Sequence, residues 1–352
     1  MIEKLDGFRM PAEWEPQKSI WIAWPYNKKD WPDLFYFIPE VVAKIVKAIS
    51  EDQKVDLLIN KDKQQVLKIL KFYKAKISNI RFHKIKTDRI WLRDSGPIFL
   101  INRTIKKKVI LDFKFNAWAK YHNFSNDNKI NNNISKVTKI RTINPKIKVG
   151  KKIRSIVMEG GAFDTNGDKS LLLTEECLLS KVQERNKGFK KKDYEDIFSR
   201  YLGINNFIWL KKGISGDDTH GHIDDIARFV SKNTIMTAIE NDKKDANFKN
   251  LKQNLKILSK KRNNKKKRFK IIKIPMPTPI FIKNIRVPAS YLNFLITNKK
   301  VLLPIFNVKE DKEVIKIFSN FFKNKKIIPV DCSRLIWGFG AIHCMTQQQP
   351  KF

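Results

Sequence analysis

The chain has 352 residues, 42% of them hydrophobic, and a formal net charge of +37. This apolar content is enough for a large core, and no apolar run reaches the roughly 18 residues that a membrane-spanning helix needs. Because the N-terminus lacks the apolar stretch of a signal peptide, we expect a cytoplasmic protein with no membrane partner.

The N-terminal half alternates predicted helices with predicted β-hairpins. Apolar residues at helical spacing predict one helix around Ile38–Ile49 and another around Val66–Tyr73. The segment Gly96–Phe115 predicts two strands joined by a polar turn, and the polar segment Tyr121–Val137 predicts a weak helix. A second hairpin, with an Asn-Gly turn, is predicted within Gly160–Leu179.

The C-terminal half repeats this alternation. Apolar spacing predicts helices at Tyr194–Leu202, Leu251–Leu258 and Val314–Phe322. Hairpins are predicted within Asp225–Glu240 and Tyr291–Phe306. A unit of hairpin plus helix therefore recurs without a Pro/Gly/Ser-rich linker. We expect one α/β domain of repeated modules over residues 1–352, and not a wholly parallel doubly wound sheet.

Four stretches place reactive polar groups beside predicted strands of different modules. They are "WLRDSGP" (Trp91–Pro97), "MEGGAFD" (Met158–Asp164), "GDDTHGHIDD" (Gly216–Asp225) and "WGFGAIHCMTQQQP" (Trp337–Pro350). A ring of repeats would bring such stretches together at its centre, so these four are the candidate site.

The histidine-rich stretch offers a metal-binding alternative. If it were extended, His220, His222 and Asp224 would share one face, at a spacing suited to a metal. A hydrolytic zinc site usually draws further ligands from elsewhere, and the remaining histidines form no second paired motif. We therefore predict neither metal nor organic cofactor, while a metal-dependent hydrolase remains an alternative.

Cys344 fits the role of a nucleophile better. The three cysteines cannot all pair, and the cytosol disfavours disulfides, so we interpret Cys177 and Cys332 as structural. A thiol needs a histidine to carry protons; His222 is the better candidate, because the adjacent His343 would point away along a strand. Nearby acids would attract a cation, and paired carboxylates match a planar guanidinium.

Six stretches in order carry a family resemblance over nearly the whole chain. They are "MPAEWEPQKSIWIAWPYNKKDWP", "WLRDSGP", "MEGGAFD", "DDTHGHIDDIARFV", "PASYLNFLI" and "GAIHCMTQQQP". Together they resemble the agmatine deiminases and bacterial-type peptidylarginine deiminases of the guanidine-modifying superfamily. The resemblance implies the pentein fold, a five-bladed, pseudo-fivefold α/β propeller of ββαβ modules with a central active site, and it suggests a homodimer.

The resemblance also implies roles by position. The nucleophile would be Cys344 and the general acid/base His222, assisted by Glu159. Asp94 and Asp224 would bind the guanidinium, and Trp91 would line the substrate channel. Asn293 would be a supporting polar residue.

The chain departs from the family pattern at three positions. Many agmatine deiminases have glycine and asparagine where Phe339 and Ala341 stand, and asparagine where His220 stands. None of these changes removes a proposed catalytic group, although the first two would reshape the pocket wall.

These observations predict a hydrolytic deiminase that converts agmatine to N-carbamoylputrescine and ammonia, a step of putrescine biosynthesis. Asp218, four residues before His222, is the candidate partner for the distal amine. A deiminase of arginine or peptidyl-arginine is the alternative within the class. A basic nucleic-acid-binding protein is the alternative outside it, but the lysines are spread along the chain and no nucleic-acid motif occurs. We therefore predict no specific nucleic-acid partner.

Overall fold

The computed structural model of the protein describes residues 5–60 and 62–352. Residues 1–4, part of the stretch used to predict the absence of a signal peptide, lie outside the described residues. Among the described residues, no helix is long and apolar enough to cross a membrane.

The helices and strands alternate along the chain. The strands are β1 (Gln17–Ala23), β2 (Lys54–Ile59), β3 (Ile80–Lys84), β4 (Ile98–Asn102), β5 (Lys107–Leu111), β6 (Thr142–Ile143), β7 (Lys146–Val149), β8 (Lys152–Ser155), β9 (Phe163–Thr165), β10 (Ser170–Thr174), β11 (Asn206–Leu210), β12 (Ala227–Ser231), β13 (Thr234–Ile239), β14 (Lys270–Pro275), β15 (Phe281–Ile282), β16 (Ile285–Arg286), β17 (Leu295–Ile296), β18 (Lys300–Ile305), β19 (Lys326–Asp331) and β20 (Thr346–Pro350). The α-helices are α1 (Ile38–Ser50), α2 (Lys63–Phe72), α3 (Leu92–Ser95), α4 (Ile130–Thr138), α5 (Glu175–Leu179), α6 (Lys191–Leu202), α7 (Phe248–Lys260) and α8 (Asp311–Phe321). Short 3-10 segments are Lys28–Asp30, Phe35–Phe37, Ile77–Asn79, Ala117–Ala119, Asp127–Lys129, Gly160–Ala162, Ile223–Asp225 and Leu335–Gly338.

Five sheets share one strand pattern. In the sheets β4-β5-β6, β9-β10-β11, β12-β13-β14 and β17-β18-β19, the first strand is antiparallel to the second and the second is parallel to the third. The fifth sheet, β20-β1-β2-β3, follows the same rule, with β20 antiparallel to β1. Helical segments connect the parallel strands, because parallel neighbours need a crossover.

The four predicted hairpins are confirmed, and so are the five predicted helices. Tyr201 and Leu202 close α6 on its buried side, and Gly203 follows it with φ +69°, a left-handed conformation that suits glycine. The predicted weak helix forms only in its second half, as α4. The mixed sheets confirm an α/β protein that is not wholly parallel.

Every module carries candidate site residues at the same position relative to its sheet. The segment just before the antiparallel first strand of each sheet carries one or two of the candidate residues. These are Asp94 before β4, Glu159 before β9, His222 and Asp224 before β12, Asn293 before β17, and Cys344 before β20.

Candidate active site

Cys344 lies in a turn that places its thiol against an amide and a carboxylate. Its side chain is buried, and the Asn293 Nδ2 donates to its Sγ at 2.9 Å. The Asn293 Oδ1 accepts the backbone N–H of Cys344, so one amide fixes both ends of the residue. Burial and the charges of Asp224, Asp225 and Asp94 raise the pKa of the Cys344 thiol well above its usual value, with the Asn293 hydrogen bond acting in the opposite direction. The free site therefore holds a neutral thiol.

His222 lies between two carboxylates in the interior. Its Nδ1 is 3.7 Å from the Asp94 Oδ1, and its Nε2 is 3.8 Å from the Glu159 Oε2. Burial alone would lower its pKa, but the charge of Asp94 and contacts with Cys177 and Glu159 raise the pKa of His222 well above its usual value. The imidazole is therefore protonated near neutral pH and is ready to act first as an acid.

Glu159 is held by a buried arginine that the sequence did not single out. The Arg185 Nε donates to the Glu159 Oε1 at 3.1 Å, while the Oε2 has no hydrogen-bond partner. Burial would raise the pKa of Glu159, but the charge of Arg185 and the contact with His222 together lower the pKa below its usual value. Glu159 is therefore ionised beside His222.

Asp94 is oriented by two donors from other segments. The Trp118 Nε1–H donates to its Oδ2 at 2.9 Å, and the backbone N–H of Gly161 donates to its Oδ1 at 3.0 Å. Burial raises the pKa of Asp94 to about 6, against the lowering effect of the His222 charge. A cation that enters next to this carboxylate would lower its pKa again and further favour the ionised form.

Asp224 is oriented by a residue that the sequence interpretation set aside. The His343 Nδ1 is 2.7 Å from the Asp224 Oδ2, and the His343 Nε2 is 2.8 Å from the Glu13 Oε2. Burial would raise the pKa of Asp224, but the hydrogen bond and charge of His343 lower it. The Asp224 Oδ1 is buried without a hydrogen-bond partner, so it is free to accept one from a substrate.

A cavity of about 380 Å³ opens onto this cluster. Its lining includes the candidates Trp91, Asp94, Asp218 and Cys344. Trp91 packs against Trp31 with ring centroids 5.6 Å apart, so one wall of the cavity is rigid and aromatic. The cavity suits a slender molecule with a planar cationic head.

The carboxylate of Asp218 already has partners in the cavity wall. The Lys120 ammonium forms an ion pair with its Oδ1, and the Tyr121 hydroxyl donates to its Oδ2 at 2.8 Å. A second acid in the lining, Asp30, has a buried Oδ2 without a hydrogen-bond partner. Burial raises the pKa of Asp30 to about 6, while the charge of Arg89 acts to lower it. Asp30 is a site residue that the sequence interpretation missed.

The "HGHID" stretch is not extended, so the shared face proposed for its metal ligands is wrong. The Asp217 Oδ2 accepts the backbone N–H groups of Gly221 and His222, which folds the stretch into a turn before the 3-10 segment Ile223–Asp225. His220 has φ +64° and its Nε2 is 2.9 Å from the Ser180 Oγ. Histidine is one of the residues that tolerate this left-handed conformation, so the turn accommodates it.

The two departures beside the nucleophile have different consequences. Phe339 has φ +63°, a left-handed conformation that glycine adopts without strain, and its side chain lines the cavity. Ala341 is buried and does not line the cavity. The chain therefore accepts backbone strain at Phe339 and gains an aromatic ring in the cavity wall.

Cys177 is not only a packing residue. Its Sγ, the His222 imidazole and a Glu159 carboxylate oxygen lie within 4.8 Å of one another. The Thr174 hydroxyl accepts the N–H of Cys177 and donates to the carbonyl of Gly221, which ties α5 to the turn before His222. The apolar sequence around Cys177 gave no signal of this contact. Cys332, by contrast, is buried among apolar residues of the core, in keeping with its predicted structural role.

Comparisons with known proteins show what the chain is similar to. The Porphyromonas-type peptidyl-arginine deiminase family matches residues 9–350. An agmatine deiminase of Medicago truncatula is 30% identical over 377 aligned positions, which cover 98% of this chain and 96% of that protein. The agmatine deiminase of Enterococcus faecalis is 28% identical, with a TM-score of 0.87 and coverage of 98% and 96%. A C. jejuni agmatine deiminase, solved with substrate bound and with a serine in place of a cysteine, is 29% identical, with a TM-score of 0.83 and the same coverage.

Proposed function

The chain belongs to the Porphyromonas-type peptidyl-arginine deiminase family, and we propose that it hydrolyses agmatine to N-carbamoylputrescine and ammonia. The observation that carries this proposal is one buried cluster beside a cavity, in which a thiol from one module meets an imidazole and carboxylates from three others. The agmatine deiminases of similar sequence and structure support the reaction. The serine that replaces a cysteine in the substrate-bound C. jejuni enzyme supports a cysteine nucleophile.

Asp94 and Asp224 bind the guanidinium. The free Oδ1 of Asp224 accepts one N–H, and the remaining lone pairs of Asp94 accept others. Each charge-assisted contact at ~4 Å is worth roughly 4 kcal/mol at an effective dielectric of about 20, before desolvation is subtracted. These two carboxylates hold the central carbon of the guanidinium next to the Cys344 Sγ, which is itself 3.8 Å from the Asp224 Oδ2.

Substrate binding activates the thiol. The cation offsets the carboxylate charges that raise the pKa of Cys344, so the thiol proton leaves to solvent and the Asn293 amide stabilises the thiolate. The thiolate attacks the guanidinium carbon and forms a neutral tetrahedral adduct. Protonated His222, whose Nδ1 faces Asp94, donates its proton to the leaving nitrogen, and ammonia departs.

Water completes the reaction on the covalent thiouronium that remains. Neutral His222 takes a proton from water as the oxygen bonds to the carbon, while ionised Glu159 stabilises the imidazolium that forms. The second adduct expels the sulfur, which takes up the hydroxyl proton and leaves as the thiol. The products are a ureido compound, ammonia and the proton lost first from Cys344, so atoms and charge balance without a cofactor.

The distal ammonium of agmatine faces the wall that carries Asp30 and Asp218. Asp30 offers a buried oxygen without a hydrogen-bond partner, whereas the charge of Asp218 is balanced by Lys120. Asp30→Asn should therefore raise KM for agmatine more than Asp218→Asn does. Neither change should alter KM for butylguanidine, which has the same head and an uncharged tail. Equal effects on both substrates would remove Asp30 from this role.

The test of the substrate is ammonia release measured in one buffer for agmatine, arginine and a peptide with C-terminal arginine. We expect agmatine to have the highest kcat/KM. An arginine substrate within about threefold of agmatine would contradict the assignment. If all three were inert while another guanidine reacted, the chemistry would stand and the substrate would be wrong.

We also propose that the five sheets surround a pseudo-fivefold axis, within a single domain, with the site at the centre. Support comes from the strand pattern shared by all five sheets and from the position of a candidate residue before the first strand of each. The homodimer that the resemblance suggests stays a prediction, which light scattering on the purified protein would check.

A further inference from the structure

The proposed acid/base belongs to a cluster of three buried side chains: a carboxylate, a thiol and an imidazole. Its members are Glu159, Cys177 and His222, and each of their ligand atoms lies within 4.8 Å of the others. We propose that this cluster is a binding site for Zn²⁺ that inhibits the enzyme reversibly. The inhibition rests on the proposed function, whereas the binding itself does not.

The donor set is the one that zinc prefers. Thiolate sulfur, imidazole nitrogen and carboxylate oxygen bind Zn²⁺ at about 2.3, 2.0–2.1 and 2.0–2.2 Å, so tetrahedral ligands lie roughly 3.3–3.8 Å apart. The His222 Nε2 and the Glu159 Oε2 are 3.8 Å apart, roughly 0.3 Å more than the nitrogen and oxygen of a tetrahedral zinc site. A small movement of either side chain would let both bind one ion together with the sulfur.

Two of the three ligand atoms lack other partners. The Glu159 Oε2 and the His222 Nε2 are fully buried, and neither forms a hydrogen bond. Buried polar atoms usually have partners, and an unpaired one costs about 1–3 kcal/mol, so an ion that bound both atoms would relieve two such costs. Arg185 occupies only the other oxygen, Oε1, and leaves Oε2 free for the metal.

The surrounding backbone fixes the third ligand. The Thr174 hydroxyl caps α5 through the N–H of Cys177 and also bonds to the carbonyl of Gly221, the residue before His222. Cys177 and His222 are thereby held to each other by one side chain. The ion would reach them through the cavity, past Asp94, because the cluster itself is buried.

The position of the metal predicts the form of the inhibition. A metal on the Nε2 prevents His222 from cycling between its two protonation states, but it leaves Asp94, Asp224 and Cys344 free to bind the guanidinium. Zinc at this cluster should therefore lower kcat with little change in KM. A second buried group of possible ligands, Asp224, Asp225 and Cys344, would instead compete with the substrate if it bound the ion.

Binding is tested with Co²⁺ as a spectroscopic probe, because a thiolate ligand gives Co²⁺ a strong near-ultraviolet charge-transfer band. Co²⁺ is titrated into the wild-type protein and into the Cys177→Ser and Cys344→Ser variants, followed by competition with Zn²⁺. We expect the band in the wild type and in Cys344→Ser, and its loss in Cys177→Ser. Loss in Cys344→Ser instead, retention in Cys177→Ser, or no band in the wild type would each overturn the proposal.

Two further measurements keep the result decisive. If Cys177→Ser does not fold, Glu159→Gln replaces it, and Co²⁺ affinity should fall at least about tenfold. Agmatine kinetics of the wild type with Zn²⁺, compared with its zinc-free rate, should show lower kcat, unchanged KM and recovery with a chelator. Competitive inhibition would overturn the proposal. A protein that binds Co²⁺ through Cys177 but hydrolyses no guanidine would contradict the proposed function and leave the metal site standing.

Discussion

At the scale of single residues, the free site keeps the thiol of Cys344, the proposed nucleophile, in its neutral form. Asp94, Asp224 and Asp225 all raise the pKa of Cys344, and burial acts in the same direction. A ligand with positive charge at the position proposed for the guanidinium would offset the contribution of the three carboxylates. Selectivity for cationic substrates therefore comes from activation of the thiol as well as from binding.

The first prediction concerns the nucleophile. Cys344→Ala should abolish turnover while the protein still folds and binds agmatine, because no other described thiol lies beside the cavity. Ammonia release and calorimetric agmatine binding measure the two effects, with Cys332→Ala as the matched control for loss of a buried thiol. Residual activity above about a hundredth of wild type would contradict a covalent mechanism. In the free wild type, inactivation by iodoacetamide should keep accelerating above pH 9.

A second prediction concerns the two carboxylates proposed to bind the guanidinium. Asp94→Asn and Asp224→Asn should each reduce kcat/KM by the equivalent of about 2–5 kcal/mol, because each removes a buried charge that faces the substrate. The exposed Asp33, changed to asparagine, is the control and should leave kcat/KM unaltered. Near-normal kcat/KM in either site variant would show that the guanidinium binds elsewhere.

At the scale of elements, short turns place the reactive groups. The 3-10 segment Gly160–Ala162 packs so closely that a Cβ on Gly161 would lie 2.5 Å from the His222 Nδ1 and 2.8 Å from the Asp94 Oδ1. Glycine is therefore required here by contact and not by an unusual φ. The backbone N–H of the same residue orients Asp94, so this one turn serves two side chains.

Gly161→Ala is consequently expected to separate His222 from Asp94 and to lower kcat by about a hundredfold or more, since small misplacements at a reacting centre have effects of that size. Steady-state kinetics measure the loss of kcat, and the thermal unfolding midpoint shows whether the variant is also destabilised. A variant with unaltered kcat and unaltered unfolding would show that the two side chains need not meet.

A further prediction concerns the link between distant segments through His343. His343→Gln should break the contact between Glu13 and Asp224 and lower kcat/KM by about tenfold to a hundredfold, mainly through KM, because Asp224 loses its orientation. His83→Gln is a matched control, since His83 is a histidine of the β1-β2-β3 sheet that bonds to Asp56. Equal losses in both variants would indicate general destabilisation.

The sequence predicts much of the site because its motifs are local. Cys344, His222 and Asp94 each lie in a short stretch whose residue types indicate their chemistry. The hairpins around them are predicted by alternating apolar residues. The contacts of Glu13 with His343 join positions 330 residues apart, so no local pattern reveals them. The extended form expected for "HGHID" fails because the Asp217 side chain competes for its backbone N–H groups.

At the scale of the whole molecule, most of the lysines and arginines behind the charge of +37 lie at the surface, while ten acidic residues of the described chain, including those of the proposed site, are buried. The densest basic stretch, Lys260–Arg268, is mostly exposed beyond the end of α7. The predicted absence of a specific nucleic-acid partner stays a prediction, which a salt titration of binding would check.

The final prediction follows from this distribution. Positive self-repulsion opposes the compact state, so raising NaCl from about 0.02 to 0.2 M should increase the thermal unfolding midpoint, because the Debye length falls below the spacing of many surface charges. Sucrose at matched osmolality is the control for non-ionic effects. A midpoint that is constant or falls with salt would show that the surface charges do not limit stability.

The pairing of β20 with β1 limits the order in which the sheets can fold during synthesis. Trp21 and Gln349 bond across 328 positions, and the thiol of Cys344 immediately precedes the strand that makes this pairing. During synthesis the four modules between them can fold as they emerge, but β1 must wait for a partner made hundreds of residues later. A ribosome-bound chain thus carries an imidazole and carboxylates without their thiol. The proposed site is therefore complete only when β20 has paired with β1.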